Sequence, residues 1–79
     1  MNRTEISRVW LTDDAISLET IDGRVASELF ENYPRLSRAS KEARENYKLS
    51  YFGIHWVEID EDLSFDGFFN KGDYISITH

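Results

Sequence analysis

Apolar and polar positions along this chain change period twice. From Glu5 to Phe30 they repeat every two residues. Ile6 to Leu11 is rich in β-branched and aromatic residues, Asp13-Asp14 interrupts it, and Ile16, Leu18 and Thr20 then alternate with Ser17, Glu19 and Ile21. Asp22-Gly23 suits a two-residue hairpin turn, because glycine reaches positive φ without strain and aspartate tolerates it. In Arg24 to Phe30, Val25 and Leu29 alternate with Ala26 and Glu28. A two-residue period sends successive side chains to opposite faces, so these segments predict a three-stranded antiparallel meander with one face on a core and one in water.

Residues 34–48 switch to a helical period, with Leu36, Ala39, Ala43 and Tyr47 recurring at intervals of three, four and four. Pro34 suits a first helical turn, where its missing N–H costs nothing. Ser40 can cap a second start with Glu42 at its positive end, so one helix and two abutting helices both fit. Leu49, Tyr51 and Ile54 to Ile59 predict one or two further strands broken at Gly53, and Leu63 to Phe69 predicts a short closing turn of helix. In residues 72–79, Tyr74, Ser76 and Thr78 alternate with Ile75 and Ile77, the pattern of an extra edge strand or a frayed tail. The expected fold is a single α+β domain over residues 1–79.

Composition narrows the function. The chain has 79 residues, 41% of them apolar, and no cysteine, which excludes a disulfide framework and a thiolate metal site. No apolar run approaches the ~20 residues of a membrane span, and the first residues lack a secretory signal's apolar core, so the expected location is the cytoplasm. A net charge of -6 opposes attraction to nucleic acid and to anionic membranes. The charge is also polarised. Residues 35–48 carry five cations against two carboxylates, a balance of +3, whereas the rest of the chain carries four against thirteen, a balance of -9. On a continuous helix Arg38, Lys41, Arg44 and Lys48 lie opposite the apolar stripe and face solvent.

The densest chemical cluster is His55-Trp56-Val57-Glu58-Ile59-Asp60-Glu61-Asp62. If the segment is extended, Glu58, Asp60 and Asp62 project together as weak candidates for a hard cation, with His55 on the opposite face. The spacing matches neither a calcium loop nor a zinc enzyme, and an acidic outer strand face is the favoured reading, so no metal or cofactor is assigned. His55 beside Trp56 is a further candidate, a base held against an aromatic wall, but no nucleophile motif or phosphate-cradling glycine loop accompanies it. Trp10, Trp56, Phe52, Phe65, Phe68 and Phe69 are expected to be mostly core. The adjacent pair Phe68-Phe69 is the exception, because both rings cannot easily turn inward and one is left to contact another chain.

The run from Ile6 to Phe69 resembles a family of small bacterial domains known as domain of unknown function 2442. The resemblance rests on Val9-Trp10-Leu11, Asp22-Gly23-Arg24, Tyr33-Pro34-Arg35-Leu36 with Ala39, Glu42-Ala43-Arg44, Gly53-Ile54-His55-Trp56, Ile59-Asp60-Glu61-Asp62-Leu63 and Gly67. Val57 stands where relatives tend to have proline. The resemblance implies a compact α+β domain with an N-terminal meander, often encoded beside a second small protein in a toxin-antitoxin-like arrangement. It implies no known activity.

The leading expectation is a non-catalytic protein-interaction module whose partner is a protein, encoded next door, docking on Arg35, Arg38, Lys41 and Arg44 or on Phe68 and Phe69. A nucleic-acid-associated regulatory binder using the same cations comes second. A small metal-dependent enzyme built on His55 to Asp62 comes third and requires those groups to line one pocket.

Overall fold

The computed structural model describes residues 5–69. Strands β1 (Ile6–Leu11), β2 (Ala15–Thr20) and β3 (Val25–Leu29) form the expected antiparallel meander in the order β1-β2-β3. Gly23 has φ +93° in the second turn, where the Gly23 amide donates to the Thr20 carbonyl at 3.0 Å. A 3-10 turn (Phe30–Asn32) leads into two short helices, α1 (Pro34–Arg38) and α2 (Lys41–Glu45). Pro34 opens α1, and the Ser40 hydroxyl accepts from the Ala43 amide at 3.0 Å to cap α2, so the two-helix alternative is the one adopted.

A second antiparallel sheet follows, made of β4 (Lys48–Leu49), β5 (Gly53–Trp56) and β6 (Glu61–Ser64), and helix α3 (Phe65–Phe69) closes the described chain. The α+β class, the meander and the terminal helical turn agree with the sequence pattern. The second sheet has one strand more than expected. β6 escaped notice because only Leu63 of its four residues is apolar and buried. The expectation for residues 72–79 lies outside the described residues.

The core forms where the two sheets and the helices meet. Ile16, Leu18, Leu36, Ile54 and Trp56 are at most 1% exposed, and Phe30, Leu63, Phe65 and Phe68 complete the cluster. Burying each of the smaller aliphatic side chains contributes about 2 kcal/mol. The stripe expected on the helices faces this core: Leu36 is fully buried, Ala39, Ala43 and Tyr47 are half-buried, and Tyr47 packs against it. Trp10 and Phe52 depart from the expectation of aromatic burial. Trp10 lies on the meander's outer face opposite Ser17, with the Arg8 guanidinium 4.5 Å from its ring centre, and Phe52 is exposed in the turn after β4.

The register of the meander decides which face of β3 turns inward. β2 pairs Ile16 with Glu28 and Leu18 with Ala26, and directly opposed residues share a sheet face. Ile16 and Leu18 are core residues, so Ala26 and the charged Glu28 follow them inward, while Val25 and Leu29 are left 57% and 43% exposed. On the outer face Arg8 pairs with Glu19 at 2.8 Å, and the Ser17 and Ser27 hydroxyls share a hydrogen bond of 2.6 Å.

Gly53 is the tightest backbone contact of the second sheet. A Cβ at this position would lie 2.3 Å from the Leu63 carbonyl oxygen, which belongs to β6 and cannot step aside. Gly53→Ala is therefore expected to destabilise the protein by about 2 to 3 kcal/mol in chemical denaturation. A loss under about 0.5 kcal/mol would contradict this packing.

Candidate functional site

The four cations assigned to partner binding separate into two pairs. Arg44 is half-buried and turns back under the helices. Its Nε donates to the Leu36 carbonyl at 2.9 Å, which also accepts from the Ala39 amide at 3.2 Å, and its Nη2 donates to the Ser37 carbonyl at 3.2 Å, so it binds the carbonyl-bearing end of α1. Its Nη1 reaches the Asp13 carbonyl in the first meander turn at 3.3 Å, and its guanidinium carbon lies 4.4 Å from the Phe30 ring centre. Arg44 is thus a clamp between α1, α2 and the meander, and the expectation that it faces solvent is corrected. The break at Ala39 and Ser40 removes the continuous helix on which that expectation relied.

Arg35 is exposed, but its Nη1 donates to the Asp60 carbonyl at 2.8 Å. Asp60 has φ +60°, a left-handed backbone that aspartate tolerates better than most residues. Arg38 and Lys41 are exposed, and among the described residues their side chains make no hydrogen bond or ion pair. The basic face is therefore narrower than the sequence suggested.

The acidic cluster is also rearranged. β5 ends at Trp56, residues 57–60 turn, and β6 returns antiparallel, so His55 stands directly opposite Asp62. His55 Nδ1 and Asp62 Oδ1 are hydrogen-bonded. The extended conformation that separated His55 from Asp62 and gathered Glu58, Asp60 and Asp62 is not the one adopted. Glu58 and Asp60 sit in the turn, and no group of three or more His, Asp or Glu among the described residues is placed to hold a metal ion. The His55 and Asp62 side chains remain 41% and 73% exposed on paired strands. Trp56 is a core residue, fully buried, with its Nε1 donating to the Arg44 carbonyl at 2.8 Å and its ring edge-on to Tyr47 at 6.2 Å.

A buried polar joint went unseen in the sequence. Glu28 is 5% exposed, and Tyr33 hydrogen-bonds to its carboxylate. Burial, the Glu28 charge and hydrogen bond, and the Glu61 charge together push the Tyr33 phenol up to about 12. The signal was present as a carboxylate opposite a core isoleucine, but it could be read only after the register was known.

The open surface is apolar and lies elsewhere. Tyr51 and Phe52, in the turn between β4 and β5, are 59% and 67% exposed, with ring centres 4.9 Å apart at 87°. Leu49, at the end of β4, is exposed beside them. Next to this corner runs a groove of about 350 Å³ with Ile6, Ser7, Ile21, Leu49, Tyr51 and Phe65 among its lining residues. The sequence signal was two adjacent aromatics immediately before Gly53, at a turn where both rings cannot enter the core. The expected aromatic contact at Phe68 and Phe69 is reduced to one ring. Phe68 is 3% exposed and offers no surface, while Phe69 is half-buried with the Arg24 guanidinium carbon 4.7 Å from its ring centre.

No helix among the described residues is long and apolar enough to cross a membrane. A family model described as a protein of unknown function (DUF2442) matches residues 6–74. Comparison with curated proteins and with solved structures returns no match.

Two outcomes follow from the clamp and the polar joint. Arg44→Met is expected to cost about 2 kcal/mol in denaturant titration, because carbonyls that accepted from a charged donor lose it, whereas Arg38→Met stays within about 0.5 kcal/mol; equal costs would remove the clamp. A phenol whose folded pKa exceeds its unfolded value contributes stability that is complete below about pH 10 and declines as pH rises toward 12. Ultraviolet titration should show a tyrosine step near pH 12 that is lost in Tyr33→Phe. A late step that survives the substitution would assign it to another residue.

Proposed function

The chain belongs to the DUF2442 family, a family of unknown function, and we propose that it acts as a non-catalytic protein-interaction module. The observation that carries this reading is the exposed edge-to-face pair Tyr51–Phe52 with Leu49 alongside. Rigid aromatic side chains lose little conformational entropy on binding and supply large apolar area, which is why a few of them dominate the energy of many interfaces. A net charge of -6 favours a partner whose apolar pocket is rimmed by cations.

Two further observations favour binding over the alternatives. Of the four cations that a nucleic-acid reading requires, Arg44 and Arg35 are engaged by backbone carbonyls, leaving Arg38 and Lys41. The His55–Asp62 pair is 41% and 73% exposed, so solvent exclusion does not assist catalysis there. A protein encoded beside this one, as in a toxin-antitoxin-like pair, is the first partner to test, and the cytoplasm is the compartment in which we place the complex.

Co-expression with the neighbouring gene product should yield a complex that Phe52→Ala weakens ~10-fold or more, about 1.4 kcal/mol. Arg38→Ala should weaken it less than ~2-fold, the behaviour of a rim charge. The reverse order would move the docking surface to the basic face, and the absence of any complex would defeat the reading.

A further inference from the structure

We propose that Lys48 is a site of covalent acylation by acyl phosphates, with His55 as the base that takes a proton from its amine. The second sheet lines up three groups across three strands. Lys48 of β4 stands directly opposite His55 of β5, which stands directly opposite Asp62 of β6. Directly opposed residues share a sheet face, and Ile54 and Trp56, which flank His55 in β5, point into the core. The row Lys48–His55–Asp62 therefore lies on the side of the sheet away from the core.

The ladder sets the spacing within this row, because bonded and non-bonded pairs alternate along antiparallel strands. The Phe65 amide donates to the Phe52 carbonyl, so counting along the register makes His55 and Asp62 a non-bonded pair, the kind whose side chains lie closer. The Ser50 amide donates to the Gly53 carbonyl, so Lys48 and His55 are a bonded pair with Cα atoms ~5.5 Å apart. Lys48 is exposed, and its flexible stem is long enough to bring Nζ to the imidazole of the next strand. His55 Nδ1 is hydrogen-bonded to Asp62, and a carboxylate only accepts, so the proton of the neutral ring sits on Nδ1 and the lone pair on Nε2. Among the described residues nothing bonds to Nε2, and the Lys48 ammonium makes no hydrogen bond or ion pair.

An amine beside a base of fixed tautomer is an activated nucleophile. The Lys48 ammonium first loses one proton to solvent. Its nitrogen then attacks the acyl carbon, and an amide C–N bond forms as the acyl C–O bond to phosphate breaks. His55 Nε2 takes the second proton and hands it to the departing phosphate, which leaves with the electron pair as hydrogen phosphate. The product has lost the lysine charge, next to Leu49 at the edge of the aromatic corner, in a chain whose net charge is already -6.

Acetyl phosphate is the probe, applied to the full chain at constant pH, with acetylation quantified by peptide mass spectrometry. Lys41 serves as internal reference, because it is equally exposed but lies on α2, outside the row. Lys48 is expected to react ~10-fold faster than Lys41, less than the ~100-fold of a base fixed in a closed site. His55→Gln should bring Lys48 down to the Lys41 rate and leave Lys41 unchanged. Equal rates at the two lysines in the unaltered chain, or a Lys48 rate that survives His55→Gln, would overturn the assignment. The first comparison needs no variant and neither needs a partner, so this proposal and the interaction reading stand or fall separately.

Discussion

The Arg44 clamp and the Trp56 indole form the joint on which the rest of the structure depends. Among the described residues the two small sheets share no strand, so something other than a hydrogen-bond ladder must hold them together. α2 does so through one residue used twice. The Arg44 carbonyl accepts from Trp56 of the second sheet, and the Arg44 guanidinium donates to the end of α1 and to the first turn of the meander. In a domain this small, each secondary element is too short to be stable alone, and a charged donor shared among several carbonyls fixes all of them in one arrangement.

The meander shows a second constraint, in which register overrides side-chain preference. Val25 and Leu29 are better core residues than Ala26 and Glu28, yet they lie outside because Ile16 and Leu18 on the central strand claim the inner face. The cost of bringing a carboxylate inward is offset locally by the Tyr33 hydroxyl, and no buried side-chain polar atom among the described residues lacks a partner.

What could be read from the sequence was local. Alternation together with Asp22-Gly23 gave the meander, and Pro34 and Ser40 gave both helix starts, because turns and caps use side chains as their signals. β6 was hidden because a short strand with one apolar residue carries no periodicity. Arg44 could not be told from Arg38 because its acceptors are backbone carbonyls, which leave no trace in residue identity. His55 and Asp62 could not be paired until the turn after Trp56 reversed the chain. The aromatic corner was not read: Tyr51 was expected in a strand and Phe52 in the core, and the outward ring was expected at Phe68-Phe69, where Phe68 is buried.

Among the described residues, every strand pairs with its immediate neighbour in sequence. Among the described residues no strand has to cross the molecule to find its mate, so the entropy of closing long loops is largely avoided as they assemble. Such a chain can zip up hairpin by hairpin, with α2 left to join the two sheets through Arg44.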